Sequence, residues 1–444
     1  MTTPIAAPSS QGLLSSTSAV PGRAPGARDQ MVLGVNVLGL GQRPAAWQSP
    51  DLNATSFIDR DYWVRVAQEA ERGAFDALFL ADTPALDDPA ARPSGALEPS
   101  VLLAAVAAAT TRIGLVGTLT STYNDPVDLA ARVLTLDLAS GGRAGWNVVT
   151  TASPHVGANF GVTDGLDRDS RYARAEEFVA FVTRLWESTR EVPVPAAFGG
   201  GSARLDLPLA PSGRPTLVQA GGSPAGRALA ARRADAVFTA EMTLDAALEH
   251  YATVKRLAAT AGRDPNEVTV LPGFALVIGS THEEAVRLYD EWEALGPPDY
   301  SLRRLSGMLG IDATDIDLDE PLPDWVTEVP EDQAGFASSL SFRSTTVRFA
   351  RAHGLTVREL LRQYGGYGHP IIVGTPEDVA DTLETWFRAG AADGFNLMPP
   401  VFPSGLTTLI DEVLPLLRAR GLFRHEYEDA TLRGRLARRK AAAR

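Results

Sequence analysis

Residues Ser140–Thr151 read SGGRAGWNVVTT. Gly141 and Gly142 supply a turn. Behind it the apolar Trp146, Val148 and Val149, with the β-branched Thr150 and Thr151, predict a short strand. The strand lacks the polar alternation of a water-washed sheet, so it should be buried on both faces, as strands are in parallel sheets and barrels.

Outward from this unit the chain repeats the same pattern. Strands are expected at Met31–Val37, Ala77–Ala81, Ile113–Thr120 and Ala144–Thr150, then at Thr216–Ala220, Ala236–Ala240, Val268–Ile278 and Gly394–Met398. Between them lie helical patterns: Tyr62, Val66, Ala67 and Ala70 stopped by Gly73, and Pro99–Thr110 with proline in its first turn. Val127–Ala139 follows the start signal Asp125-Pro126, and a long stripe runs Tyr172, Ala175, Val179, Val182, Trp186. Ser223-Pro224 opens the next helix, followed by Thr243–Ala261 and Thr281–Leu295. Thr375-Pro376 precedes the stripe Val379, Leu383, Trp386, Phe387, and Leu406–Ala419 comes last. Eight alternations of strand and helix predict an α/β protein, a (β/α)8 TIM barrel with an insertion between strands 7 and 8. Residues 296–370 break the rhythm and are expected to be that insertion, lying over the mouth as a lid. Residues 1–29, small and proline-punctuated, are expected to be a disordered leader. The barrel should then occupy 30–430, with 431–444 a solvated basic tail.

The bulk composition narrows the function. The chain has 444 residues, 45% of them hydrophobic, enough for a large core. A formal net charge of −13 disfavours nucleic acid as a partner, because phosphate binding is driven by clustered Lys and Arg. With no cysteine, disulfides, thiolate metal sites and a cysteine nucleophile are excluded. No stretch approaches the roughly 18 apolar residues of a membrane span, and the leader has no apolar signal core, so a cytoplasmic location is expected.

In a barrel of this kind the active site lies at the carboxyl ends of the strands. The polar residues expected there are Asp82, Thr118, Thr120, Asn147, Thr150, Thr151, Gln219 and Ser223. They include no metal-ligand histidine pair, no paired carboxylates at glycosidase spacing and no nucleophile elbow. Hydroxyls, amides and glycine N–H groups instead suit a cofactor that brings its own reactivity. Ala220–Ser223, AGGS at a helix start, can bind phosphate through backbone N–H groups, the serine hydroxyl and the helix dipole. His155 and His369 are the histidines expected near the mouth and are weak catalytic candidates.

SGGRAGWNVVTT, followed by Asn159-Phe160-Gly161 and by RYARAEEFVAFVTRLW at 171–186, resembles the nitrilotriacetate monooxygenase family of bacterial-luciferase-like flavin enzymes. AERGAFDALFLAD, VQAGGSPAGRALAARRADAVF, VGTPEDVADTLETWFRAGAADGFNL and RARGLFRHEYEDATLRGRL extend the resemblance over about residues 31–436. It implies a two-component monooxygenase that uses reduced FMN and O2, with the flavin supplied by a separate NAD(P)H:flavin reductase. The implied substrate is a small amine or chelator, organosulfur compound or alkane. Asp82, Thr118, Thr120, Asn147, Arg168, Tyr172, Gly222 and Ser223 are then the expected flavin contacts, with Tyr172, Gly222 and Ser223 near the phosphate. Arg168 stands where the family usually has histidine, and a guanidinium suits a phosphate. The first loop, GQRPAAW, and a short Glu191–Pro215 linker also depart from the family and bear on substrate. By analogy a homodimer or homotetramer is expected. A deazaflavin (F420)-dependent oxidoreductase of the same superfamily and a flavin-binding protein without turnover are the alternatives.

Overall fold

The structure is a computed structural model. It describes residues 28–437 apart from 44, 51, 54, 83, 86–96, 163–164, 297–299, 332–335, 337–338 and 365–367. The expected leader lies outside the described residues except for its last two, as does the chain beyond 437.

The opening stretch folds as its sequence dictates. Gly141 ends the helix Pro126–Ser140 in the left-handed region at φ 71°, and the strand Ala144–Val149 starts three residues on. Trp146 points outward and packs edge-on to Trp186 at 6.1 Å and against Phe178 at 5.7 Å, while its indole N–H donates to Leu119 O. Asn147, one residue on, faces inward and donates to Thr118 Oγ1.

The strands of the main sheet are β1 Val32–Val37, β2 Ala77–Leu80, β3 Gly114–Thr120, β4 Ala144–Val149, β5 Thr216–Gln219, β6 Ala236–Thr239, β7 Thr269–Ile278, β8 Ile371–Gly374 and β9 Gly394–Met398. All pair in parallel. β1 to β7 pair in sequence, and β9 joins β7 to β1, closing an eight-stranded ring. β8 is an addition to the expected set: it pairs with Ala275–Ile278 at the end of β7, outside the ring. The ten-residue β7 therefore serves three neighbours in turn, β6, β9 and β8. Thr375 then caps the helix Pro376–Ala389 with a capping box, and Gly390 stops it, as the sequence signals. The last helix is not uniform, since Leu409–Val413 is a π-helical turn between Ser404–Thr408 and Leu414–Ala419. No helix among the described residues is long and apolar enough to cross a membrane.

Outward-facing Leu33, Val35, Leu78, Leu80 and Leu115 join the helices in the largest core cluster. Inward-facing Val32, Ala77, Phe79, Val116, Val218, Ala236 and Leu271 fill the lower barrel. Three aspartates rim that end. Asp76, Asp235 and Asp393 stand just before β2, β6 and β9, and each accepts from the first N–H groups of an adjacent strand, at Leu33, Leu217 and Val270. Arg424, Arg214 and Lys255 lie 2.8, 2.7 and 2.8 Å from these carboxylates.

The expectation of a solvated tail from 431 fails. Leu432–Leu436 is a helical turn capped by Thr431 that closes the bottom of the barrel, with Leu432 and Leu436 inside the lower core. Arg433 and Arg435 lie 3.4 and 3.6 Å from Asp235 and Asp76, so the basic residues answer the acidic rim. Leu432→Ala should therefore lower stability by about 2–4 kcal/mol, read from urea unfolding, as a buried leucine truncation does. Arg433→Ala, at a more exposed position, should cost less.

Candidate active site

Above the lower core the inward positions turn polar. Asn36 of β1, Thr118 of β3 and Asn147 of β4 form the floor of a cavity of about 530 Å³, a size suited to a cofactor-sized ligand. Asn147 Nδ2 donates to Thr118 Oγ1 at 2.9 Å, which fixes the amide, while Asn147 Oδ1 is buried without a partner among the described residues. An orphaned buried acceptor at a cavity floor is the mark of a missing donor.

One wall is cationic and rich in donors. The helix Arg168–Trp186 begins behind the Asp167 cap and brings Arg168, Arg171 and Tyr172 to the cavity. Ser223 caps the helix Pro224–Arg233 through Gly226 N–H and donates its own hydroxyl proton to Tyr172 OH at 3.0 Å. Gly221, Gly222 and Ser223 line the cavity between these two helix starts. Burial, and then the charge of Arg168, hold the Arg171 guanidinium below its ordinary pKa. Two like charges facing a helix N-terminus define an anion site.

The insertion supplies the roof. Its helix Leu340–Ala352, capped by Ser339, lines the cavity with Leu340, Ser341, Phe342 and Thr345. Gly222 has no room for a side chain, because a Cβ there would stand 2.1 Å from Ser341 Oγ. Phe342 meets the ring of His369 edge-on at 6.1 Å, and His369 stacks on Phe238 of β6 at 5.0 Å. The insertion has its own core, which includes Leu305, Leu309, Val326, Val347 and Leu360.

Of the residues expected from sequence, Asp82, Thr118, Asn147, Arg168, Tyr172, Gly222, Ser223 and His369 line this one cavity. Thr120 does not. It shares the inward parity of Thr118 but lies at the strand end, where its hydroxyl accepts from Thr122 N–H in the following turn. His155 is also excluded, being exposed on the short helix Pro154–Asn159 and absent from the wall. Sequence reasoning missed Arg171, Phe238 and Glu241. Arg171 stands one turn from Arg168 and could have been found by helical spacing. The insertion was expected over the mouth, but no motif singled out residues 339–345 within it.

The sequence matches the profile of the family described as luciferase-like monooxygenase over residues 43–393. N-acetyl-S-(2-succino)cysteine monooxygenase of Bacillus subtilis is 37% identical over 91% of this chain and 96% of its own length. Nitrilotriacetate monooxygenase component A of Aminobacter aminovorans is 38% identical over 93% of this chain and 97% of its own. Among solved structures, riboflavin lyase with modified FMN and riboflavin superposes with a TM-score of 0.81 at 29% identity, covering 92% of this chain and 96% of that one.

Gly222→Ala should displace the insertion helix and lower the thermal midpoint, and Ser341→Gly in the same chain should restore it, because the clash belongs to that pair. His369 gives a pH signature. Burial lowers its pKa to about 4. In the window between the ordinary value near 6.5 and 4, the unfolded chain binds a proton that the folded one refuses, so stability falls as pH falls. His369→Phe should remove about 2 kcal/mol of the loss between pH 7 and 5, measured by urea unfolding at each pH.

Proposed function

The chain belongs to the luciferase-like monooxygenase family and is an oxidoreductase of that type. From that premise we propose that it uses reduced FMN and O2 to insert one oxygen atom into a small organic substrate, as the oxygenase component of a two-component system with a separate flavin reductase. The observation that carries this reading is one cavity that joins an orphaned amide acceptor, Asn147 Oδ1, to an anion cradle at Arg168, Arg171, Tyr172 and Gly222–Ser223. A flavin has an N–H-bearing ring at one end and a phosphate at the other, and the amide acceptor and the cationic, donor-rich cradle fit them in turn. The name component A in a relative, and the FMN bound in a structural neighbour, support the partner and the cofactor.

When bound, reduced flavin would supply the chemistry by activating dioxygen and delivering one of its atoms to the substrate. The chain's own residues do the rest. Ser223, Tyr172, the Gly222 backbone and the two arginines would hold the phosphate, and their charge would favour the dianion over an uncharged riboflavin. Thr118 turns the Asn147 amide so that its oxygen is left to accept from the ring. Leu38, Val156, Phe238, Leu340 and Phe342 keep water from the reacting face. His369, held neutral by burial and stacked on Phe238, completes the wall of the cavity.

Ser223→Ala should weaken FMN binding about tenfold by fluorescence quenching, having lost a hydrogen bond to a charged group. The wild type should form an oxygenated product from its substrate when chemically reduced FMN is added in air. With NAD(P)H and FMN, that product should appear only after a flavin reductase is added. Hydride transfer with reduced deazaflavin, and no substrate oxygenation with reduced FMN, would overturn the reading.

A further inference from the structure

Glu241 lies two residues past β6 and lines the cavity, with a side chain only 9% exposed. A carboxylate this deeply placed normally has several donors. Here His250 Nδ1 lies 2.6 Å from Glu241 Oε1, and among the described residues the other oxygen has no hydrogen-bond partner. The neighbouring guanidinium is committed elsewhere: Arg227 Nε donates to Gly222 O at 2.9 Å, and its NH1 reaches both oxygens of Glu249 at 3.0 Å. It stands 4.0 Å from Glu241. His250 is 1% exposed and its Nε2 has no hydrogen-bond partner among the described residues, while its Nδ1 is held against Glu241. One carboxylate oxygen is thus held by His250 and the other is left to the cavity.

Its place on the ring separates it from the cationic wall. Arg168 and Arg171 follow β4 and the Gly221–Ser223 cradle follows β5, whereas Glu241 follows β6. The rings of Phe238, His369 and Phe342 line the same cavity. We propose that Glu241 is a specificity-determining residue, selecting substrates that carry a protonated amine: the ammonium N–H is bound by Glu241 and the apolar part lies against Phe238 and Phe342. His250 is its positioning residue. The inference rests on the monooxygenase reading of this cavity. A carboxylate answers an ammonium with a charge-assisted hydrogen bond, and the aromatic wall adds cation–π attraction. The same carboxylate rejects an anionic head group by like-charge repulsion.

Calorimetry with N,N-dimethylbenzylamine and with its neutral counterpart, benzyl methyl sulfide, tests this on FMN-saturated protein and again on protein without FMN. The wild type should bind the amine about tenfold more tightly than the sulfide. Glu241→Gln should weaken the amine about tenfold while leaving the sulfide and FMN affinities within about twofold. His250→Phe should show a smaller loss of the same selectivity with an unchanged sulfide affinity. Equal binding of amine and sulfide by the wild type, or an unchanged amine affinity in Glu241→Gln, overturns the proposal. So does a Glu241→Gln variant that loses FMN and not the amine, which would make Glu241 a flavin contact. Amine selectivity that persists in a protein inert toward reduced FMN and oxygen would sustain the cation site and defeat the monooxygenase reading instead.

Discussion

A buried guanidinium with no direct ion-pair partner among the described residues fixes the middle of this fold. Arg143 is 3% exposed and donates to the carbonyls of Ser140, Ile113, Ala107 and Thr110 and to the Thr110 hydroxyl. The carbonyls near Ala107 are those that a helix C-terminus leaves without partners, and a cation there also answers the helix dipole. Burial lowers the pKa of Arg143 from a value so high that it stays charged. One side chain therefore ties the end of the helix Pro99–Ala107, the entry to β3 and the entry to β4. The register that brings Thr118 beside Asn147 starts from that tie. Without it the amide at the cavity floor would have no fixed direction.

The floor and the mouth divide the work. At the bottom, aspartates, their cationic partners and the C-terminal turn close the ring with hydrogen bonds and ion pairs that no ligand touches. At the top, charge is sorted around the circumference, with arginines after β4 and Glu241 after β6. Under the proposed reading, a ligand with a phosphate at one end would settle with that end at the arginines.

The barrel was legible because each strand is buried on both faces and bracketed by caps and glycines that announce its ends. β8 escaped notice because Ile371–Gly374 abuts the insertion and pairs outside the ring. Asp82, Asn147 and Ser223 were legible as strand-end or helix-start residues, and Tyr172 only through the family resemblance. Thr120 was misplaced because inward parity does not say whether a terminal hydroxyl serves the cavity or its own turn. The C-terminal turn was misread because Arg433 and Arg435 look like a solvated run until Asp235 and Asp76 are seen, far back along the chain. Glu241 was invisible for a related reason: its meaning depends on His250 and on a roof contributed by residues about a hundred positions away.

The insertion is built around leucines and valines of its own, and it meets the barrel mouth through Ser341 at Gly222 and Phe342 at His369. Such a segment is a cassette. Its sequence can drift, or be exchanged between homologues, without rebuilding the ring beneath it, provided that a small side chain faces Gly222 and an aromatic edge faces His369. Evolution would then revise which molecules enter the mouth by editing the cassette, while the oxygen chemistry below is inherited unchanged.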